Sequence, residues 1–477
     1  MKTLVKSLTV LALGMPVATV ATTKVWLIGG GNHIENSQGQ IEQNVSWLEQ
    51  LLQGQGAALS TYYSAGLSGT KDVAYWAPRE ESVEFLQPLA RVFTGIGDNG
   101  IRYKTHELSR VKGGTDKSSL ERGLTRDFAA LSGRDDILLI YNGHGGINDD
   151  DVNKNYLKLW GDEKLTVSEL DELLDKAPPE TTVRFVLTQC YSGAFHKLIY
   201  ESPFSSEFSR QPRCGFMAES AWRQAEGCDL GVNKAEFRDY TTYFFAALNG
   251  QSRLGTALEG DPDLNGDHKV SLREAHLYTL RNALSSDLSR ATSETYLEQW
   301  QPWYLRWDSA VENKQSEYWK IAETVATRNG WTLDAQTLLK EKAHLQQRIS
   351  DQNTAMHQLL RQIEQTQYDI QSRLRSHWPE LFNPYTYEYQ RTISNDLEDI
   401  QGQIIAYPKY QVLVESQQRY LQMQQEALDL VRTVTQVDKI FRMKKLARLE
   451  KWFERYATEK EKSQRQILQE CEEGFIE

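Results

Sequence analysis

Short apolar runs alternate with amphipathic stretches between residue 24 and about residue 288. The runs at 24–29, 136–141 and 182–188 have the composition of buried strands, and 213–217 is a further candidate. The run at 136–141 does not alternate apolar with polar positions, so we expect both of its faces to be covered. Strands separated by helices in this way favour parallel pairing with right-handed crossovers, which predicts an α/β sandwich with a mostly parallel sheet.

Amphipathic stretches between and after these strands predict helices at 45–52, 165–176, 235–248 and 272–284. The second stretch has Thr166 near its start, a residue type that caps helices through its side chain. It ends before a pair of prolines, which cannot continue a helix. The order strand, helix, strand is therefore repeated along this part of the chain.

Beyond about residue 300 glycine nearly disappears, and Gln, Glu, Arg and Leu dominate. Apolar residues recur there at alternate steps of four and three, which is typical of a coiled-coil seam. A second helical stretch is predicted at about 385–437, with a break or kink at Pro408, and a third at about 439–469. We predict an antiparallel helical hairpin or bundle, and the same seam could instead dimerise the chain. The apolar seam positions are Leu345, Ile349, Met356, Leu359, Ile363 and Ile370.

The first residues have the pattern of a secretory signal peptide. Lys2 and Lys6 form a basic start, a mostly apolar run follows at 8–20, and small residues surround Ala21. The run is shorter than the roughly 20 residues of a membrane-spanning helix. A buried strand or a membrane anchor is the alternative. The pattern predicts a mature chain that starts near Thr22 and is exported, either to the periplasm or out of the cell.

A chain of 477 residues is too long for one compact core. We divide it into a signal peptide at 1–21, an α/β domain at 22–298 and an all-α coiled-coil or bundle domain at 299–477. The net charge of −11 argues against a partner that is nucleic acid or an anionic membrane, because such binders need a basic face. No segment after the first approaches the length of a membrane span.

The chain has four cysteines, and export would permit disulfides. Cys214 and Cys228 are close in sequence and could close a short loop, or both could stay free. Cys471 lies in a charged helical tail and could also be free. Cys190 follows a predicted strand, which sets it apart from the other three.

Two predicted strands end in reactive side chains with glycine just beyond. The strand at 136–141 leads to His144, and the strand at 182–188 leads to Cys190. Ligands of open parallel sheets bind beyond the carboxyl ends of the strands, so both side chains are expected at one edge. A thiol needs a neighbouring base or cation to become an effective nucleophile. A single histidine beside glycine is more often a loop residue, and a single cysteine at a strand end is more often a small buried hydrophobic residue. The two together favour a catalytic pair.

These segments resemble the caspase-like cysteine peptidases, the group that includes caspases, legumains and the catalytic subunit of the GPI transamidase. The family pattern is an apolar strand ending in His-Gly, then a second strand ending in an acidic or amide residue, a small residue and Cys. Residues 141–145 and 188–193 are similar to it, at the caspase-type separation of roughly 50 residues. Residues 157–170 look like the strand, acidic turn and helix of legumains. The resemblance covers about 24–288 and implies a three-layer sandwich.

The resemblance also implies hydrolysis or transfer of peptide bonds in a protein or peptide substrate. Cys190 would attack the carbonyl carbon, and His144 would protonate the leaving amine. The backbone N–H groups of Gly145 and Cys190 would stabilise the oxyanion, an effect worth about 3–4 kcal/mol per donor. Family members need no metal for this step.

Residues of the substrate pocket are less well defined by the resemblance. Legumains have a basic residue soon after the first strand, where this chain offers only His33. Residues 218–221 are similar to a pocket wall, which makes Glu219, Ser220 and Asp229 candidates. An acidic wall would favour a basic substrate residue, although ordinary loop polarity explains the same residues equally well.

The chain departs from the family pattern just before the cysteine. Thr188 stands where the family has the acidic or amide pocket residue, and Gln189 replaces the small residue. Thr188 is therefore a pocket candidate by position, with ordinary strand-end polarity as the alternative. The preferred substrate residue stays open.

Residues 263–274 follow the pattern of a twelve-residue EF-hand calcium loop. His268 stands at position six in place of the usual glycine, and Gly260 and Pro262 interrupt any entering helix. A loop that only caps the next helix is the alternative to a calcium site. The candidate ligands are Asp263, Asn265, Asp267, Lys269, Ser271 and Glu274.

The main hypothesis is an exported cysteine endopeptidase that needs no cofactor for its chemistry. A transpeptidase on the same pair of residues and a non-catalytic interaction scaffold are the alternatives. The helical region could bind a partner, associate with itself, or restrain the enzyme by covering its site.

Overall fold

The computed structural model describes residues 23–76, 86–96, 100–131, 135–303 and 312–475. The predicted signal peptide at 1–21 lies outside the described residues. In chain order the strands are β1 (Thr23–Gly30), β2 (Ala58–Tyr63), β3 (Val73–Trp76), β4 (Ile101–Lys104), β5 (Val111–Gly113), β6 (Asp136–Gly143), β7 (Gly145–Gly146), β8 (Tyr156–Leu159), β9 (Glu163–Thr166), β10 (Val183–Leu187), β11 (Arg213–Met217) and β12 (Arg290–Ala291).

The described α-helices divide between the sheet region and the C-terminal region. Those before residue 301 are α1 (Gly39–Gly54), α2 (Gln87–Phe93), α3 (Lys117–Phe128), α4 (Val167–Leu174), α5 (Tyr240–Asn249), α6 (Leu272–Asn282) and α7 (Thr292–Trp300). Of these, α2 packs against the C-terminal helices. Those of the C-terminal region are α8 (Glu317–Arg328), α9 (Ala335–His377), α10 (Tyr387–Ile405), α11 (Tyr410–Tyr456) and α12 (Glu459–Glu472).

The central sheet has the strand order β12-β11-β10-β6-β1-β2-β5. Neighbouring strands of this sheet pair in parallel, except that β12 is antiparallel to β11. Helices α3 and α4 cover one face, and α1, α5 and α6 cover the other. The predicted α/β sandwich with a mostly parallel sheet, followed by a helical region, is confirmed.

Strand β6 shows why its sequence lacks polar alternation. Ile137, Leu139 and Tyr141 belong to the core on one face of the sheet, and Leu138 and Ile140 belong to the core on the other. Each of these side chains is at most 1% exposed. A central strand of a parallel sheet is buried on both faces, so an unbroken apolar run is the pattern it needs.

Two predicted helix starts are confirmed by their caps. Thr166 Oγ1 accepts the Glu169 N–H before α4, and the Glu169 carboxylate accepts the Thr166 N–H in return. Ser271 and Glu274 make the same reciprocal pair before α6. Each box satisfies N–H groups that have no partner inside the helix.

The two long helices α9 and α11 pack against each other in antiparallel fashion. Lys342 is paired with Asp438 at 2.5 Å, while Gln352, farther along α9, donates to Glu426, which is earlier in α11. The apolar seam is therefore used within the chain, as a hairpin. Self-association or partner binding through the C-terminal helices stays a prediction.

The helix boundaries after the hairpin turn differ in part from expectation. The break at Pro408 is confirmed, since α10 ends at Ile405 and α11 begins at Tyr410. The break expected near residue 438 is wrong, because α11 continues to Tyr456. Neither glycine nor proline occurs in α11, so nothing in the sequence interrupts it there.

The cysteine pairing also differs from expectation. Cys214 of β11 forms a disulfide with Cys471 of α12, so the short loop to Cys228 is not closed and Cys471 is not free. Cys190 and Cys228 are free. The chain leaves Cys214 along an extended strand, at about 3.3 Å per residue, which carries Cys228 beyond the opposite end of β11. No helix in the described part of the chain is long and apolar enough to cross a membrane.

Candidate active site

The candidate nucleophile and base follow the carboxyl ends of two neighbouring strands, β10 and β6. The strands are parallel, with Leu187 opposite Tyr141. Just beyond this pair the Thr188 N–H donates to the Tyr141 carbonyl over 3.1 Å. Continuing the same register places Cys190 level with His144. The strand pairing thus brings the two predicted residues to one edge of the sheet.

Gly145 lies where these two strand ends touch. A Cβ atom at this position would come within 2.0 Å of the Cys190 carbonyl oxygen and 2.7 Å of Cγ of Gln189. Any larger residue would therefore push the two backbones apart. Glycine is needed here because the backbone after His144 contacts the backbone of Cys190 directly.

The His144 ring is held through its Nε2 atom. Nε2 lies 2.8 Å from the Asn36 carbonyl oxygen and 2.7 Å from Oε1 of Gln38. Both partners are acceptors, so Nε2 carries the hydrogen and the lone pair of the neutral ring is on Nδ1. Nδ1 makes no hydrogen bond to the residues that the structure describes. This nitrogen is therefore the one that can exchange a proton with a thiol.

Burial sets the charge state of this histidine. It lowers the pKa of His144 to about 4, while the hydrogen bond to the Asn36 carbonyl acts in the opposite direction. Electrostatic interactions with Lys158 and His33 act in the same direction as burial and are smaller contributions to this lowered pKa. The imidazole is consequently neutral at pH 7, the form that accepts a proton.

The thiol of Cys190 contacts both the N–H and the carbonyl group of one residue, Ala225. Its Sγ atom accepts the Ala225 N–H over 3.3 Å and lies 3.8 Å from the Ala225 carbonyl oxygen. Burial raises the pKa of Cys190, although the hydrogen bond from Ala225 opposes this. The resting pair is therefore a neutral thiol and a neutral imidazole.

The backbone turns sharply directly after the cysteine. Tyr191 has a φ of 60°, in the left-handed region that side chains rarely adopt. Its N–H donates to the Arg223 carbonyl over 2.8 Å, and a short 3₁₀-helix, Ser192–Ile199, follows. Such a conformation costs on the order of 1–3 kcal/mol and is concentrated at functional sites. The turn ends the strand so that Cys190 stands at its tip.

Thr188 and Gln189 are both buried beside the cysteine. Thr188 Oγ1 donates to the Tyr141 carbonyl and accepts from Nδ2 of Asn142, so its hydroxyl is satisfied inside the protein. Gln189 is 1% exposed, and neither polar atom of its side chain has a partner within the described residues. The structure thus places Thr188 in the sheet interior.

Glu219 is also internal. It is fully buried, and its carboxylate accepts the N–H groups of Ser220 and Leu288, with the Arg223 guanidinium 3.5 Å away. Burial raises the pKa of Glu219, and the charge of Arg223 opposes that effect. Ser220 is partly exposed, and its hydroxyl accepts the Trp222 N–H.

Asp229 is exposed and lies at the mouth of a cavity of about 680 Å³. Its side chain accepts the Gly231 N–H, and its backbone exchanges two hydrogen bonds with Gln40 of α1. Ala225, which contacts the thiol, lines the same cavity, and so does Arg432 of α11. Of the pocket candidates, Asp229 therefore shares a cavity with the segment over Cys190.

The predicted calcium loop is formed largely by its own hydrogen bonds. Asp263 accepts the N–H groups of Gly266 and His268, and Glu274 accepts that of Ser271 as part of the helix cap. His268 has a φ of 66°, so it adopts the conformation that glycine usually takes at position six. The loop therefore has the expected turn.

The remaining candidate ligands bond within the loop as well. Asn265 Oδ1 accepts the Asp267 N–H, and Asp267 Oδ1 accepts the Lys269 N–H. Among the described residues, no three His, Cys, Asp or Glu side chains gather closely enough to hold a metal ion. The side chains as placed do not form a ligand set, and calcium binding stays a prediction.

Isothermal titration of the full chain with calcium tests this prediction. If the loop binds calcium, binding heat appears at or below millimolar concentration and is lost in Asp263→Ala, because the first loop position supplies a ligand. Lys269→Ala is the matched control, since position seven would use only a backbone carbonyl. No heat in the unaltered chain would contradict a calcium site.

Several site residues were missed by the sequence analysis. Asn36 contributes a backbone carbonyl, which has no sequence signal. Gln38 stands at a helix start where Ser, Thr, Asp or Asn is usual, and this departure is a signal that could have been noticed. Ala225 contacts the thiol through its backbone, which again leaves no trace in residue type.

Comparison with known proteins adds little to this geometry. No protein-family model matches the chain, and no curated protein matches it. Among solved structures, it is similar to protein GSU0716 from Geobacter sulfurreducens, with 12% sequence identity and a TM-score of 0.34. That match covers 57% of this chain and 92% of the other.

Proposed function

We propose that the chain is a cysteine endopeptidase that uses Cys190 as nucleophile and His144 as acid and base. The observation that carries the proposal is the bonding of His144, whose Nε2 is held by two acceptors while Nδ1 stays available at the edge where Cys190 lies. A thiol and an oriented neutral imidazole are the parts that acyl transfer requires.

The reaction follows from the neutral resting pair. The Cys190 thiol gives its proton to Nδ1 of His144 as its sulfur forms a bond to the carbonyl carbon of the substrate. The imidazolium then passes that proton to the leaving amine as the C–N bond breaks, which leaves a thioester. Water attacks the thioester with His144 as base, and hydrolysis releases the acid and restores the thiol.

Gly145 and Cys190 are proposed to stabilise the oxyanion through their backbone N–H groups. Their backbones are in contact, so the two donors belong to one small region next to the sulfur. Backbone donors fixed by strand ends need no reorganisation when charge develops, which is the property such a site requires.

A library of peptides incubated with the full chain tests the proposal. The unaltered protein should cleave a subset of peptides at defined bonds, and Cys190→Ala should cleave none, because the nucleophile is gone. Cys228→Ala removes the other free thiol, which lines the same cavity as Ala225, and it should still cleave because Cys190 remains. Cleavage by Cys190→Ala, or no cleavage by the unaltered chain across pH and calcium concentrations, would contradict a peptidase.

The cleaved bonds would also identify the substrate preference. Asp229 and Ser220 are the candidate pocket residues that reach solvent, while Thr188 and Glu219 are occupied inside the protein. We propose that Asp229 contributes negative charge to the pocket, which favours a basic residue in the substrate. Export is proposed from the first residues, and the Cys214–Cys471 disulfide supports it, because disulfides persist in oxidising compartments.

The helical region is proposed to restrain the segment over the thiol. Arg432 of α11 forms a bidentate ion pair with Glu226, the residue after Ala225. The Glu226 backbone N–H also donates to Asp287. Both bonds fix the backbone that contacts Cys190, so α11 affects access to the nucleophile.

Arg432→Ala should therefore speed alkylation of Cys190 by iodoacetamide. A charge-assisted hydrogen bond contributes about 1.5–3 kcal/mol, so loss of the ion pair should raise the rate about tenfold or more. Arg419→Ala is the control, because Arg419 pairs with Glu426 on the exposed side of the same helix. Equal rates in both variants, measured by mass spectrometry of the Cys190 peptide, would rule out this restraint.

A further inference from the structure

Gln38 occupies an unusual position for a glutamine. It is the N-cap residue of α1, with extended backbone angles, and its side chain makes no capping hydrogen bond. Ser, Thr, Asp and Asn are preferred at such positions because their side chains satisfy free N–H groups, and losing that cap costs about 0.5–2 kcal/mol. The side chain of Gln38 is instead directed to Nε2 of His144, 2.7 Å away.

The backbone that presents this side chain is fixed on both sides. The Ala74 N–H of β3 donates to the Ser37 carbonyl over 2.8 Å, and Gln38 is bridged to Ala74. The Gln38 carbonyl accepts the Ile41 and Glu42 N–H groups of the first helical turn. An amide that extends from a fixed backbone and hydrogen-bonds to the ring can help to hold the ring in one orientation.

The second acceptor of the same N–H is also fixed. Asn36 offers its backbone carbonyl at 2.8 Å, and its side chain accepts the N–H groups of Asn32 and His33. Two acceptors therefore share the Nε2 hydrogen. Of these two, only Gln38 acts through a side chain, so it is the one that substitution can change.

We propose that Gln38 is a positioning residue for His144, which fixes the tautomer with a hydrogen on Nε2 and keeps Nδ1 available to Cys190. This inference rests on the proposed peptidase function and adds a third residue to the pair. Gln38 itself touches neither the thiol nor the reacting atoms in this scheme. It acts by orientation, and as a neutral acceptor it leaves the histidine uncharged at neutral pH.

The pKa of His144 is low, so a negative charge introduced at position 38 should raise it measurably. Lys158, whose N–H donates to the His144 carbonyl, and His33, from the loop before α1, both oppose a charge on the ring. Burial lowers the pKa of His144 to about 4. A glutamate at position 38 would place a carboxylate against Nε2–H and raise the pKa of His144. The protonated ring would then stabilise a thiolate at Cys190.

The test compares Gln38→Glu and Gln38→Ala with Gln50→Glu, which adds the same charge to an exposed position of α1. The rate of iodoacetamide reaction at Cys190 is followed against pH by mass spectrometry. Gln38→Glu should begin to react at least about one pH unit lower than the unaltered chain, the size of shift that a nearby charge produces, whereas Gln50→Glu should not. Gln38→Ala should lower kcat for a cleaved peptide by up to about 100-fold, the loss that a small misplacement of a reacting group can cause, with little change in KM.

The two proposals can fail separately in this experiment. Identical alkylation profiles for Gln38→Glu and Gln50→Glu would overturn the role of Gln38, whether or not peptides are cleaved. A shifted profile in a chain that cleaves no peptide would support the role of Gln38 and overturn the peptidase. Thermal unfolding of each variant separates a loss of orientation from a loss of fold, and a kcat loss in Gln38→Ala counts only if its melting temperature is unchanged.

Discussion

Replacing His144 with alanine is expected to lower kcat/KM for peptide hydrolysis on the order of 10⁴-fold, and the same replacement in the Cys190→Ala chain, which already lacks the nucleophile, should lower it no further. The reason is that the two residues act as one unit. Without the imidazole the raised pKa of Cys190 keeps the thiol protonated, and without the thiol the imidazole has no nucleophile to activate. Such residues give effects that are far from additive.

The measurement is the hydrolysis rate of one cleaved peptide by the two single variants and the double variant. His357→Ala is the matched control, because His357 is an exposed histidine of the long helix α9. Losses that multiply in the double variant would mean that the residues act independently. That result would contradict a shared catalytic step.

The parts of the fold that could be predicted are those in which one clear sequence feature determines the element, whereas β2 and α3 were not anticipated. Short runs rich in apolar residues identified β1, β6 and β10, and the run of β6 is unbroken between Ile137 and Tyr141 because both of its faces are covered. Thr166 identified one helix start by side-chain capping, and the structure shows that Ser271 caps another. The edge strands β5 and β12 are too short to produce a pattern, and they were not anticipated.

The candidate site was predictable only where side chains define it. His144 and Cys190 follow recognisable strands, so their shared edge could be inferred before any coordinates. The contacts of Asn36 and Ala225 run through backbone atoms, which any residue possesses. The burial of Thr188 and Glu219 depends on which way a strand end faces, and a shift of one residue reverses that.

The cysteine pairing could not be predicted, because residues that are close in sequence need not be close in the folded chain. Cys214 lies in β11, against which α12 packs, and the two cysteines that meet there are 257 positions apart. Cys228 is close in sequence but lies past the opposite end of the strand. The helical hairpin returns α12 to the sheet, and this return places Cys471 beside Cys214.

Removing this disulfide is expected to lower the free energy of unfolding by about 3–5 kcal/mol, because the cross-link closes a very long loop in the unfolded chain. The variant is Cys214→Ala with Cys471→Ala, compared with Cys228→Ala, which leaves the disulfide intact. Denaturant unfolding of all three chains, with and without reductant, measures the difference. Reductant should destabilise the unaltered chain and Cys228→Ala, and should leave the double variant unchanged.

The contacts of α12 indicate whether the double variant still folds. The Glu472 carboxylate, next to Cys471, is fully buried and accepts hydrogen bonds from Thr292, Ser293 and Arg273. These bonds should keep α12 in place in the native state, so the double variant should still fold and the cost should fall mainly on the unfolded state. Four free thiols in the denatured, unreduced chain would show that the bond does not form. In that case only packing and hydrogen bonds would attach the helical region to the sheet.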